Sequence, residues 1–308
     1  MVLRFRILFS FMVMLVPSLP AIAQVRFGCT DPSEACATES REGLELRKEK
    51  IRELYRGLIY PFPLSVISGS VKVDHIFEET HVGGRVTPVG HFPGFEAAVE
   101  YFYGLAGAPG LRVENVKFDS LIAGDDKVGV EVHIFFCRLP DGGCDQTHPI
   151  GPSSFTLTQM GFFRFNKDNK IMSFDLSILN MGAAFDRTDD ASRLKDIQQT
   201  GALLTIGFGT ALPATCPTTF DDPSDYPPGF LFNPILPQPL RAFENCMGWM
   251  RKIPFGTSNR ANADSFTCRQ VHALLTPIRP EVHCPHTSPS GGHTCVEHSY
   301  ASYYDEEY

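Results

Sequence analysis

The chain has no surplus of positive charge: 27 lysines and arginines against 35 aspartates and glutamates leave a net charge of −8. Nucleic acid is a polyanion that requires a basic surface, so the balance argues against it as a partner, and more weakly against anionic membranes. No apolar run beyond residue 23 approaches the roughly 20 residues that a transmembrane helix needs. The sequence also lacks an Asn-x-Ser/Thr sequon and an internal repeat. Across residues 42–185 there is no nucleophile elbow, phosphate loop or metal-ligand spacing, so no reaction class is announced by a motif.

The first thing present is a leader. Arg4 and Arg6 precede the apolar run Ile7–Val16 (ILFSFMVMLV), and Ala21-Ile22-Ala23 supplies the small residues that a signal peptidase reads. Residues 1–23 are therefore expected to be a signal peptide, with a secreted or secretory-lumen protein as the product. Loss of the two arginines would take the net charge to about −10. The remaining residues, beginning with a segment 24–41, suffice for one large domain or two smaller ones.

In that compartment the nine cysteines read first as disulfide partners: Cys29, Cys36, Cys137, Cys144, Cys216, Cys246, Cys268, Cys284 and Cys295. Cys137 and Cys144 bracket the turn-rich RLPDGG, where a bridge would close a hairpin arm. Spacing does not fix connectivity. The last five cysteines are odd in number, so one is free, pairs elsewhere or binds something.

Periodicity divides the chain. Leu44, Ile51, Leu54, Tyr55 and Leu58 make one stripe of a helix over 42–59, with Arg47, Lys48, Glu49, Lys50 and Glu53 directed away and Pro61 and Pro63 ending it. Val71–Glu79 (VKVDHIFEE) reads as a short strand. A loop bearing Gly83, Gly84 and Pro88 leads to a second helix after Pro93-Gly94. Four strands are organised around Val128–Cys137 (VGVEVHIFFC), whose even positions are all apolar: Val113–Ile122, Val128–Cys137, Phe155–Phe165 and Ile171–Leu179. Helices followed by an antiparallel meander make an α+β domain over 42–185.

This region resembles the SnoaL-like branch of the nuclear-transport-factor-2-like superfamily. The resemblance rests on the long first helix, on VDHIFEE, on Gly94-Phe95-Glu96-Ala97-Ala98 with Tyr101-Phe102, and on GFFRFNKDNKIMSFDLS (Gly161–Ser177) as the final hairpin. It implies a cone: a curved antiparallel sheet wrapped around the N-terminal helices, with an apolar pocket at its open end and a homodimer through the outer sheet face as one arrangement. The family holds isomerases, cyclases, dehydratases, hydrolases and pure binding modules, so the fold leaves function open.

Residues 186–215 are read as a linker with a short polar helix over 186–199. Composition then changes: thirteen of the 24 prolines, five of ten histidines and five of nine cysteines lie beyond residue 210. Residues 216–308 are expected as a small irregular, cysteine-rich region with short helices at Leu240–Lys252 and Asp264–Leu275, Asp264 serving as N-cap.

A histidine oriented by a carboxylate is the side-chain pair suited to moving a proton at a carbon acid. His133 with Asp175 is one such pair if their strands are neighbours, and His75 with Glu78 or Glu79 is another. Under the family resemblance Tyr101, Tyr103, Phe135 and Phe162 would gather around the substrate. His133 and Asp175 fall on the polar phases of their strands, which is also what a solvated sheet face produces. In the tail, zinc or copper at His283, His286 and His293 competes with disulfide formation among the cysteines, and no metal or cofactor is assigned. Three readings follow: a cofactor-free isomerase, cyclase or dehydratase acting on a small apolar metabolite, a non-catalytic secreted small-ligand-binding or interaction protein, or a tail-centred metal activity. A pocket lined by a histidine–carboxylate pair favours the first; an apolar pocket with His133 and Asp175 facing water favours the second.

Overall fold

Helix α1, Arg41–Arg56, places Ile51, Leu54 and Tyr55 in the core, and Leu58 just beyond it continues the stripe. Its solvent side carries the ion pairs Lys48–Glu45 and Arg52–Glu49, one turn apart. Arg47, expected to point outward, is instead buried, and its Nη1 donates to Asn169 Oδ1 at 3.0 Å. Asn169 sits at φ 56° in the hairpin Asn166–Asn169, so that contact pins the helix to the tip of the meander. The structure is a computed structural model, and it describes residues 41–124, 126–138, 154–207, 213–231 and 234–299. The leader, the Cys29–Cys36 spacing, Cys144 and the terminal YYDEEY lie outside them; Cys137 is disulfide-bonded.

The meander forms as the alternation predicts. Strands β3 (Leu111–Gly124), β4 (Lys127–Arg138), β5 (Ser154–Phe165) and β6 (Ile171–Ile178) pair antiparallel in chain order. Val128, Val130, Val132 and Ile134 face a core shared with α1, Phe102, Phe163 and Phe174. Burial of aliphatic side chains of this size is worth about 1.5–3 kcal/mol each, which fixes the register, since a one-residue slip would turn them all outward.

Two strands occupy the stretch read as a loop. Strand β1 (Gly83–Thr87) pairs parallel with β6, and β2 (Gly90–Pro93) forms the edge, giving the order β2-β1-β6-β5-β4-β3. The two glycines hid β1: a Cβ on Gly84 would collide with the Phe174 carbonyl, so the close approach of the strands excludes any side chain there. Conversely, Val71–Glu79 is no strand. Val73, Ile76 and Phe77 are buried at helical-turn spacing, and the segment touches the sheet through a single bridge from Phe77 to Ile171.

After α2 (Phe62–Ile67) and the strands β1 and β2, helix α3 (Gly94–Val99) continues into a π-helical turn, Glu100–Gly104. Beyond β6, α4 (Gly182–Phe185) is followed by α5 (Asp190–Thr205) within the stretch taken as a linker; Ile197 and Leu204 of α5 enter a second core with Phe220, Met247, Met250 and Phe266. The C-terminal region is more helical than its prolines suggest: α6 (Leu240–Met250), α7 (Phe266–Leu275) and α8 (Pro280–Thr287). Ser265, not Asp264, caps α7, because Asp264 is engaged by Arg269 at 2.8 Å. The fully buried Arg269 also donates to the carbonyls of Ser288 and Pro289, tying α7 to the segment after α8. Disulfides join Cys216 to Cys284 and Cys268 to Cys295, and Cys246 is the odd, buried thiol. No helix among the described residues is long and apolar enough to cross a membrane.

Candidate functional site

The sheet separates the residues that the sequence pairs. Strand β5 lies between β4 and β6, so His133 and Asp175 are two strands apart. Asp175 stands opposite Arg85 of β1, whose Nη2 and Nε donate to its two carboxylate oxygens at 2.7 and 3.1 Å. His133 instead presents Nε2 to Asp119 Oδ2 at 2.7 Å and Nδ1 to Thr158 Oγ1 at 3.0 Å. Lys117 and His133 together hold the Asp119 carboxyl below the usual carboxylate range. That is a chemically competent histidine–carboxylate pair, but it lies on the outer face of the sheet. His75 pairs with Glu53 of α1 at 2.7 Å, half-exposed, while Glu78 turns its carboxylate to the backbone amides of Thr80 and His81.

Of the four ring residues proposed around a substrate, only Tyr101 lines the interior cavity. Tyr103 is buried in the core against Phe62. Phe135 and Phe162 follow His133 onto the outer face, where Phe162 is 62% exposed and covers the side-chain-free Gly129 across the strand pair.

The cavity itself holds about 90 Å³ and is lined by Leu58, Tyr101, Phe102, Ile134, Phe136, Phe155, Leu157, Gln159 and Ile178 from the cone. Met181, Ala184 and Phe185 around α4, with Val271 and Leu274 of α7, close it from the other side. Its polar equipment is a relay of neutral groups. Tyr55 Oη donates to Gln159 Oε1 and Gln159 Nε2 donates to Tyr101 Oη, both at 2.5 Å. Burial raises both phenol pKa values, with the neighbouring Tyr101 adding to the effect on Tyr55 and the Gln159 bond opposing it on Tyr101. Neither hydroxyl is ionised near neutral pH. Gln159 was legible in principle: it stands on the buried phase of β5 between Leu157 and Phe163, where every other side chain is apolar.

A second group of functional side chains lies beside the π-helical turn. His272 of α7 faces two histidines of α8, with Nδ1–Nδ1 distances of 3.1 Å to His283 and 3.2 Å to His286. Withdrawal from water, reinforced by the neighbouring imidazoles, pushes the His272 pKa well below the usual histidine value and the His286 pKa down to about 4. His283 Nε2 lies 3.5 Å from Glu100 Oε2, a buried carboxylate that Arg279 also approaches at 3.3 Å. His293, expected with His283 and His286, is exposed and outside this group; His272, a full sequence segment away, takes its place.

The cone defines the class: an α+β domain in which a six-stranded, mostly antiparallel sheet packs its apolar face on α1 and the helix and turn that carry Phe102. Residues 238–298, which span α6 to the last short turn, match the BfoA family C-terminal domain. The aurasperone B biosynthesis cluster protein A of Aspergillus niger is 24% identical over 226 residues, covering 70% of this chain and 67% of that protein. The bifonsecin B biosynthesis cluster protein A of Aspergillus brasiliensis is 38% identical over 45 residues, 15% of each chain. Among solved structures, a SnoaL-like polyketide-cyclase candidate from Jannaschia sp. CCS1 aligns with 46% of this chain and 92% of its own, at 14% identity and a TM-score of 0.32. The epoxide hydrolase/cyclase-like enzyme SalBIII aligns with 44% of this chain and 91% of its own, at 17% identity and a TM-score of 0.30.

Proposed function

We propose that the protein binds a small, largely apolar aromatic metabolite inside the cone, without converting it, in a fungal secondary-metabolite pathway. The observation that carries this reading is the lining of the cavity: aromatic and aliphatic walls in which, among the described residues, the Gln159 amide and the Tyr101 phenol are the polar side chains, with the Tyr55 phenol bonded to Gln159 behind them. Such walls recognise shape and an aromatic face, and the relay can orient one carbonyl or hydroxyl of the guest. Among the described residues no carboxylate or imidazole lines the chamber, so none of them sets a group able to take a proton at neutral pH where a reacting carbon would sit. The relatives' names, which refer to biosynthetic clusters for aurasperone B and bifonsecin B, support the metabolite class. The disulfides of the C-terminal region support the secretory pathway as its location.

A cavity of about 90 Å³ is smaller than the roughly 150 Å³ engineered cavity that takes up benzene. A ring-sized guest therefore requires the Val271 and Leu274 cover to move outward. The test is calorimetric titration of the full chain with a hydroxylated aryl ketone, beside the same titration of Leu274→Trp. Saturable binding that the tryptophan abolishes, with the ligand recovered unchanged, is the expected result. Equal binding by Leu274→Trp would place the guest elsewhere, and enzymatic turnover of the probe would return the protein to the isomerase and cyclase class.

A further inference from the structure

We propose that His272, His283 and His286 form a tris-imidazole binding site for a borderline divalent cation, zinc or copper(II). Their ligand atoms all lie within 4.8 Å of one another. Imidazole nitrogens bound about 2.0–2.1 Å from one metal ion, at angles between about 95° and 110°, stand roughly 3.0–3.4 Å apart. The two Nδ1–Nδ1 distances, 3.1 and 3.2 Å, fall in that interval.

Hydrogen bonding alone satisfies this arrangement poorly. A neutral imidazole carries one N–H, and His272 Nδ1 faces two other Nδ1 atoms at once. Either one proton is shared between both contacts or His272 accepts from both, leaving its other nitrogen as the sole donor. A cation between the rings uses all three lone pairs. Ligation through Nδ1 leaves each Nε2–H free to donate outward. His283 has its carboxylate in place for this, Glu100 Oε2 at 3.5 Å, with Arg279 holding Glu100 from the other side. A carboxylate behind a ligating histidine fixes the ring and raises its basicity. Without an ion His283 Nε2 is buried and lacks a hydrogen bond.

The donor set decides the class of ion. Three imidazoles favour zinc or copper(II) over the oxygen-seeking magnesium and calcium. Cys268 and Cys295 also lie within 4.8 Å of His272, but they are joined to each other and supply no thiolate. The site spans α7 and α8, consecutive helices joined by a short turn, and α7 is tied to the segment after α8 by the Cys268–Cys295 bridge and the buried Arg269.

The test uses the full chain, purified without a histidine tag or reductant, stripped with EDTA and titrated with Zn²⁺ or Cu²⁺ alone. One equivalent per chain is expected after gel filtration, and the Cu²⁺ form should show electron-spin coupling to three nitrogens. His286→Gln and His272→Ala should each weaken binding at least 30-fold, whereas His81→Ala, at a side chain 78% exposed, should leave it unchanged. Binding of less than a tenth of an equivalent by the wild type overturns the proposal. So does a full equivalent retained by the folded double variant His272→Ala/His286→Gln. Should those variants fail to fold, the wild-type Cu²⁺ spectrum decides, and coupling to fewer than two nitrogens overturns it.

Discussion

The relay Tyr55–Gln159–Tyr101 can be tested by taking it apart one contact at a time. Gln159 is 2% exposed and satisfies the Tyr55 hydroxyl as acceptor and the Tyr101 hydroxyl as donor. Gln159→Leu keeps the volume and leaves the Tyr55 O–H buried without an acceptor. An orphaned buried polar group costs about 1–3 kcal/mol, so a loss of about 2 kcal/mol is expected. Tyr55→Phe leaves Gln159 Oε1 without its donor and should cost about 1–2 kcal/mol by the same argument. The double variant has neither orphan at that contact. Its cost should fall short of the sum of the singles by at least about 1 kcal/mol, a coupling typical of residues in direct contact. Urea unfolding followed by circular dichroism reads this as a midpoint shift, about 0.7–1 M for the Leu variant at a slope of 2–3 kcal/mol/M. Additive costs, within about 0.3 kcal/mol, would refute the relay. So would a Gln159→Leu variant as stable as the wild type.

Other consequences are simpler to state. Removing the carboxylate in Asp175→Asn, or the ring in His133→Gln, breaks only partly exposed surface pairs; stability should change by less than about 1 kcal/mol and probe binding in calorimetry should not change. Arg269→Leu strips the side-chain donor from two buried carbonyls, at about 1–3 kcal/mol each, while Asp264 is exposed enough to be solvated, so thermal unfolding should report a loss of roughly 2–5 kcal/mol. In EDTA the protein should lose stability on acidification. His286 titrates near 4 in the folded chain and near 6.5 unfolded, so below pH 6.5 the unfolded state binds more protons. The contribution, up to about 3 kcal/mol, is complete above pH 6.5 and disappears as pH falls toward 4; a flat urea midpoint over that range would contradict it.

Much of the cone was legible because its core strands carry a strict period of two and α1 a clean stripe. Where the pattern misled, a local reason is visible. Gly83 and Gly84 suppressed the strand signal of β1 because the fold needs a bare backbone against Phe174. Val73, Ile76 and Phe77 supplied strand-forming residues at the spacing of a turn. The histidine–carboxylate pairing failed through topology rather than chemistry: sequence gives the phase of His133 and Asp175, while the intervening β5 is a matter of sheet order. Gln159 carries no charge or titrating group, and its signal in the sequence is only that of a polar residue on an apolar strand phase. The histidine trio was out of reach for a different reason. His272 and His283 come from separate helices, and only the turn between α7 and α8 brings them together.

The chamber belongs to neither half of the chain alone. The cone supplies its floor in Ile134, Leu157 and Gln159; α7 supplies Val271 and Leu274 across the mouth. The packing between them is tight: a Cβ on Gly104 of the π-helical turn would press on Ile278 and Leu275. Arg279, just beyond α7, bonds to Glu96 and Glu100 on the helix and turn that carry Tyr101. One polar face of that turn is thus clamped to the C-terminal layer, while its neighbour Tyr101 faces the chamber and joins the relay. A guest that displaces Leu274 pushes on α7, and α7 is coupled through Arg279 and Glu100 back to the segment that presents the Tyr101 hydroxyl. In such an arrangement the affinity of the chamber depends on the stability of its cover, because whatever free energy holds α7 against the cone is subtracted from the free energy of binding. On the proposed binding reading, the C-terminal region is in that sense part of the site, since the contacts that hold α7 against the cone count against a guest.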